Sequence, residues 1–205
     1  MNTAKDKREL RRQMRTRRQN LTETELCEAS EQLARRLLNL PGVMGVKRLG
    51  GYFASDGEIN PLPALEALIG RGRAGYLPVL FRTRRPRVRF AEYFPQEPLQ
   101  PGGFGIPVPF HHRRHLLDPV ELDWLLMPLV AFDDNGNRLG MGGGFYDASL
   151  ASRRHRHRWR RPMLIGLAHE FQKVDRLEVD NWDVPLDGIL TDTAYRPIVR
   201  NITTG

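Results

Sequence analysis

Residues 123–147 read DWLLMPLVAFDDNGNRLGMGGGFYD. An apolar run ends at Phe132, a polar turn follows, and four glycines stand within five positions before two aromatics and an aspartate. The spacing predicts a strand over 123–132, a loop over 133–144 and a helix from 145, joined as one strand–loop–helix unit. In α/β sheets ligands gather at the carboxyl ends of strands, where this unit places its glycines. Gly140, Gly142, Gly143 and Gly144 let the backbone take left-handed or crowded conformations, so that successive amides can face one anion. Arg138 can add a charge-assisted contact, and Asp147 in the first helical turn can hold a divalent cation on a polyphosphate. The alternative is a flexible turn closed by a capping aspartate. The run is not a P-loop, because no G-K-[ST] follows. It is not a dinucleotide fingerprint either, because Phe145 falls on the last glycine position.

Outward from this unit, further short apolar runs have strand character: 49–54, 75–80, 88–94, 162–168 and 187–192. Helix-like pieces at 62–70 and 145–153 alternate with some of them. The pattern predicts an α/β fold, a single-domain layered structure with a mostly parallel central sheet flanked by helices. Before the first strand, residues 4–19 are strongly basic with Leu10 and Met14 four apart, which suits a helix with a thin apolar stripe. Thr22 and Glu25 fit a capping box, and Leu26, Ala29, Leu33, Leu37 and Leu40 continue at helical spacing until Pro41-Gly42. We expect one unit over 1–205, with helices of 1–40 packing on the α/β body.

The 205 residues are 40% hydrophobic, enough for a sizeable core. The longest apolar run, LLMPLVAF at 125–132, falls far short of the roughly 20 residues of a membrane span. The start, MNTAKDKREL, lacks the apolar stretch of a secretory signal. Cys27 is the only cysteine, which excludes an intrachain disulfide and argues against a cysteine-based zinc site. A cytoplasmic, monomeric protein without membrane partners is expected. The formal charge is +8, carried almost wholly by arginine since there are four lysines. Arginine suits bidentate recognition of phosphate or carboxylate, so nucleic acid or small polyanions are the partners to weigh.

The segment 125–150 resembles the signature of the 5-formyltetrahydrofolate cyclo-ligase family, P-x-x-x-F-D-x-x-G-x-R-L-G-x-G-x-G-[YF]-Y-D. Pro128, Phe132, Asp133, Gly136, Arg138, Leu139, Gly140, Gly142, Gly144, Tyr146 and Asp147 match it. KRELR (7–11) is similar to the family's K-x-x-L-R, SDGEINP (55–61) to its E-I-x-T region, FGIPVP (104–109) to its G-I-P-x-P segment, and WDVPLDGILTD (182–192) to its closing D-x-x-x-D-x-x-x-T element. The chain departs from the pattern at Met141 and Gly143, where basic residues are common, at Phe145, commonly tyrosine, and at Pro61, commonly threonine.

The resemblance implies a fold of the sugar-phosphate isomerase and CoA transferase type. It also implies an enzyme that uses ATP and Mg²⁺ to convert 5-formyltetrahydrofolate to 5,10-methenyltetrahydrofolate, releasing ADP and phosphate. Phosphoryl transfer to the formyl oxygen precedes attack by N10 and departure of phosphate. Such chemistry relies on positioning and charge neutralisation, and the sequence offers no convincing nucleophile–base pair. By the same resemblance, Lys7 and Arg11 contact the phosphates of ATP, and Arg138, Leu139, Gly140, Met141, Gly142, Gly143, Gly144, Phe145 and Tyr146 cradle the nucleotide. Arg138 and Tyr146 are the candidate catalytic residues, and Asp147 and Asp187 the candidate Mg²⁺ ligands. Glu58, Phe53, Phe104 and Tyr146 would bind the folate, Glu58 by accepting from the pterin N–H groups. Each has a plainer alternative: a solvated basic face for Lys7 and Arg11, caps or turns for the aspartates, core packing for the aromatics.

A competing reading starts from two arginine clusters, RTRRPRVR (82–89) and RRHRHRWRR (153–161), which could grip a nucleic-acid backbone with Trp159 stacking on a base. No recognised nucleic-acid motif accompanies them, so solvated basic loops are preferred and nucleic acid is not an expected partner. Attraction of polyanionic polyglutamate tails of folates is a third possibility.

Overall fold

The computed structural model describes residues 4–81, 84, 86–110, 115–155 and 161–199, without the side chains of Ala4, Lys5, Phe104, Arg154 and His155. Two helices lead. The first, α1, spans Ala4–Gln19, and the second, α2, spans Glu23–Leu38. The capping box before α2 forms: Thr22 N donates to Glu25 Oε2 at 2.8 Å, and Glu25 N donates to Thr22 Oγ1 at 3.2 Å. There follow β1 (Arg48–Gly50), α3 (Leu62–Ile69), β2 (Ala74–Phe81), β3 (Arg87–Tyr93), β4 (Leu99–Pro101), β5 (Pro107–Pro109), β6 (Trp124–Pro128), β7 (Ala131–Phe132), β8 (Arg138–Leu139), α4 (Phe145–Ser149), β9 (Met163–Ala168), β10 (Gly188–Thr191) and β11 (Tyr195–Pro197).

Seven strands form one sheet in the order β11-β10-β9-β6-β1-β2-β3. The five inner strands are parallel, and β3 and β11 close the edges antiparallel to β2 and β10. Short connections dictate both reversals, since a parallel return needs a crossover of a dozen or more residues. The sheet is therefore mixed α/β and mostly parallel. Its two faces bury separate clusters, and β6 shows why: Trp124 and Leu126 enter one cluster with α2 and α3, while Leu125 and Met127 enter the other with Leu150 and Leu186. Gly166 in β9 is needed for that second face, because a Cβ there would lie 2.5 Å from Leu186 and 2.7 Å from Leu129. Helix α1 packs through Leu10 and Met14 against Val130, Ala131 and Leu139.

Three sequence expectations need correction. The strand expected over 49–54 ends at Gly50; Gly51 N still donates to Tyr76 O of β2 at 2.8 Å, and residues 52–61 leave the sheet. The strand expected over 123–132 breaks at Leu129-Val130, where both carbonyls accept from the Nε2 of buried Gln172 at 2.9 Å instead of pairing with a strand. The helix expected over 145–153 is only five residues long, followed by a 3-10 turn over Ala151–His155. The strands β4, β5, β7, β8 and β11, of two or three residues each, are too short to produce a periodic signal.

Candidate active site

The glycine loop hangs from a hairpin that one buried carboxylate organises. Asp133 accepts from the amides of Asn135 and Asn137 at 3.0 Å, from Asn137 Nδ2 at 2.9 Å and from Leu177 N at 2.9 Å. These bonds shape the turn between β7 and β8 and fix where Arg138 emerges. Beyond β8, positive φ is taken by Gly142 (93°) and Gly144 (66°), and not by Gly140 or Gly143. Two of the four glycines thus meet a backbone requirement that disfavours other residues. The helix that follows has five residues, so its dipole supplies less charge to the loop than the expected longer helix would.

Arginines supply the charge instead. From α1, Arg11 Nε donates to Gly140 O at 2.8 Å, and its guanidinium lies 3.8 Å from where a Cβ on Gly142 would stand. From β8, Arg138 Nη2 donates to Asp147 Oδ1 at 2.5 Å while Nη1 donates to Val184 O. Asp147 Oδ1 also accepts from Val184 N at 3.1 Å. Lys7 points along the same side of α1 and pairs with Asp180 at 2.9 Å. A shallow cleft beside these groups is lined by Asn137, Arg138, Val179, Asp180, Asp183, Val184 and Pro185. The structure therefore brings Arg11, Arg138, Gly140 to Gly144 and Asp147 together, with Leu139 buried beneath and Met141 exposed at the rim.

Tyr146 connects this basic loop to a second group of residues. Burial raises the pKa of its phenol, the Glu58 carboxylate adds to the rise, and Arg138 opposes it. Glu58 accepts from Ser55 N at 3.1 Å and lies 3.7 Å from Arg18 Nη1. Burial pushes its carboxyl above the ordinary value, while the Ser55 amide and Arg18 pull it back. Tyr52 lies within the same field and donates its hydroxyl to Ile59 O at 2.8 Å. Phe53 packs edge-on to Tyr93 with ring centroids 6.2 Å apart. The side chain of Phe104 lies outside the described residues.

Asp187 is placed otherwise. It stands at the start of β10, where its Oδ2 accepts from Leu164 N at 2.8 Å and from the buried Arg153. Arg153 Nε also donates to Pro162 O at 3.1 Å, so this pair ties the entries of β9 and β10 together. Among the described residues, no group of three or more His, Cys, Asp or Glu side chains is arranged to hold a metal ion. Asp147 does offer one suitable atom. Both of its hydrogen bonds use Oδ1, and its side chain is 26% exposed, so Oδ2 can meet a cation that also binds phosphate.

The sequence reading missed Arg18 and Asp180, and it gave Asp133 only as a match to the signature, without a role. Arg18 carried a signal. Leu10, Met14 and residue 18 are spaced four apart, so an arginine continues the apolar stripe of α1 and must find a buried acceptor. Of the arginine clusters, Arg89 pairs with Asp118, Arg161 with Asp123 and Arg153 with Asp187. Arg82, Thr83, Arg85 and residues 156–160, including Trp159, lie outside the described set.

The chain matches known proteins over most of its length. The family described as "5-formyltetrahydrofolate cyclo-ligase family" matches residues 3–192. A Haemophilus influenzae protein named 5-formyltetrahydrofolate cyclo-ligase is 38% identical over 93% of this chain and 99% of its own. Its Escherichia coli K12 namesake is 37% identical over 87% of this chain and 96% of its own. The structure of Aquifex aeolicus 5,10-methenyltetrahydrofolate synthetase superposes with a TM-score of 0.79 at 29% identity, covering 97% of this chain and 96% of the other. A match over this length, on a fold of the same shape, shows that the chain belongs to the 5-formyltetrahydrofolate cyclo-ligase family.

Proposed function

We propose that this protein is a 5-formyltetrahydrofolate cyclo-ligase, which uses ATP to convert 5-formyltetrahydrofolate to 5,10-methenyltetrahydrofolate and releases ADP and phosphate. The observation that carries this reading is the convergence of Arg11 and Arg138 on the glycine loop, an anion cradle whose cations come from two separate elements. The formyl oxygen attacks the γ-phosphorus of ATP and ADP leaves. N10 then attacks the activated carbon and releases its proton to water or the departing phosphate, as the carbon–oxygen bond breaks and phosphate leaves. The protein contributes position and charge. Arg138 stabilises charge on the transferred phosphoryl group, and Arg11, Lys7 and the backbone of 139–146 hold the nucleotide. Lys7 would exchange Asp180 for phosphate. Tyr146, with its hydroxyl kept protonated, closes the site between phosphate and folate.

Glu58 accepts from the pterin N–H groups, and Phe53 and Phe104 flank the ring. Asp147 would hold Mg²⁺, whose chemistry is to neutralise phosphate charge. The family pattern supports Asp187 as a second ligand. We further read the chain as one unit of the sugar-phosphate isomerase and CoA transferase type, in which residues 1–40 pack on the α/β body, and as a cytoplasmic monomer. Five parallel strands with reversed edges support that fold reading, and among the described residues no helix is long and apolar enough to cross a membrane. A nucleic-acid role is disfavoured by the acidic partners of Arg89, Arg153 and Arg161.

The test is spectrophotometric. The near-ultraviolet methenyl chromophore should grow when protein, 5-formyltetrahydrofolate and MgATP are mixed, should not grow without ATP, and should grow at least about 10²-fold more slowly with Arg138→Met. Absence of growth with saturating ATP and chemically competent folate would overturn the reading.

A further inference from the structure

We propose that Arg18 is a positioning residue for reduced-folate binding: buried against Asp56, Leu129 and Glu58, it fixes the Glu58 carboxylate to the helix that carries the phosphate contacts. The inference rests on the folate role of Glu58 given above.

The side chain of Arg18 is fully buried, an expensive place for a guanidinium unless its donors are matched. The match is uneven. Nη2 meets Asp56 Oδ2 at 2.9 Å and Nη1 meets Leu129 O at 3.4 Å, but Glu58 Oε1 stands off at 3.7 Å and Nε has no partner among the described residues. Asp56, by contrast, is saturated. It accepts from Arg18, from Arg15 Nε at 2.6 Å and from Gln19, all on α1. Burial alone would raise the pKa of Asp56, yet these bonds hold it below its usual value.

The Ser55–Glu58 turn is forced into this place by its backbone. Asp56 has φ 53° and Gly57 has φ 71°, and a Cβ on Gly57 would lie 2.5 Å from Arg18 O. The turn is thus pressed onto the end of α1, and His169 holds its other side through Nε2 and Gly57 O at 3.1 Å. The two carboxylates divide the work. Asp56 neutralises the arginines. Glu58 keeps Oε1 at ion-pair range of Arg18 without a direct hydrogen bond to it, so that oxygen can accept from a ligand. The charged and titratable groups facing Glu58 are Arg18 from α1, Asp56 in its own turn, Tyr52, and Tyr146 from α4. Arg11 and Arg18 are seven residues apart, about 10 Å along a helix. One rigid element therefore sets the spacing between the nucleotide loop and the folate carboxylate.

Steady-state kinetics with each substrate varied tests this on the full chain. Asp56→Asn keeps a residue that tolerates positive φ, so it loosens Arg18 without refolding the turn. Both Asp56→Asn and Arg18→Lys should raise KM for 5-formyltetrahydrofolate about tenfold while KM for MgATP stays within about twofold. In a Glu58→Gln background, Asp56→Asn should add less than about twofold, because its target is gone. Equal rises in both KM values, or an unchanged folate KM in both variants while Glu58→Gln raises it, would overturn the role of Arg18 and leave Glu58 standing. An unchanged folate KM in Glu58→Gln would instead overturn the reading of Glu58, and the inference with it.

Discussion

Arg138 and Asp147 stand nine residues apart in sequence and 2.5 Å apart in space, and their ion pair closes the glycine loop on itself. Two demands meet in this contact. On the proposed reading the loop receives a triphosphate, and Arg138 must stay aimed at it while paired with Asp147. The second interaction of Arg138, from Nη1 to Val184 O, serves the second demand, because it holds the guanidinium independently of Asp147.

Replacing Arg138 with methionine should therefore lower kcat by about 10²-fold or more, the scale of losing a charge-stabilising donor. Arg138→Lys should fall between, since an ammonium keeps the charge but cannot reach Val184 and Asp147 from one rigid plane. Steady-state rates of chromophore formation decide this. A lysine variant as active as the native protein would show that the fork is irrelevant.

Glycines at positive φ separate conformational strain from crowding. A Cβ on Gly144 (φ 66°) meets nothing within 4 Å among the described residues, so Gly144→Ala should cost about 1 kcal/mol of stability from backbone strain alone. Gly57→Ala adds a backbone clash that cannot relax by a side-chain rotation, and should cost at least about twice as much. Urea unfolding of the two variants checks the order.

Much of this was legible in the sequence because the informative features are long or chemically unusual. The glycine run, the capping box at Thr22 and the parallel strands at 75–80 and 162–168 all rest on local pattern. What escaped was set by distant partners. The break at Leu129-Val130 depends on Gln172, more than forty residues away. The pairing of Asp187 with Arg153 depends on how two strand entries meet, which no spacing within either segment reveals. Arg18 lay in a basic run that hid it. Only its four-residue spacing from Met14 distinguished it from the solvated arginines around it.

His169 should make stability sensitive to acid. Burial lowers its pKa below the usual 6.5, outweighing the Gly57 carbonyl and Asp192, with Arg18 acting in the same sense as burial. A group whose folded pKa is depressed binds fewer protons folded than unfolded. Its contribution is therefore complete above about pH 6.5 and is lost as pH falls through the folded pKa, by at most about 1.4 kcal/mol per pH unit. Glu58, with its pKa raised, acts in the opposite sense at lower pH, so the native curve alone is ambiguous. The difference curve is not. Between pH 7.5 and 5.5, His169→Gln should lose less unfolding free energy than the native protein. Equal losses would remove His169 from the account.

The two aspartates carried to magnesium by the family pattern should behave differently when altered. Asp187 neutralises an arginine that is 3% exposed, so Asp187→Asn leaves a buried cation without its partner. That should cost about 3 kcal/mol of stability with no metal or nucleotide present, less to the extent that water reaches the site. Asp147 is the more exposed of the pair that it forms with Arg138 and commits only Oδ1 to hydrogen bonds. Asp147→Asn should chiefly raise the magnesium concentration needed for half-maximal rate, by about tenfold or more. Thermal unfolding without magnesium, paired with a magnesium titration of activity, separates the roles. An Asp187→Asn protein that is destabilised yet keeps the native magnesium dependence would strike Asp187 from the ligand set, leaving it to anchor β9 to β10. A rise in the magnesium requirement for both variants would mean that Asp187 exchanges Arg153 for the metal when the nucleotide binds.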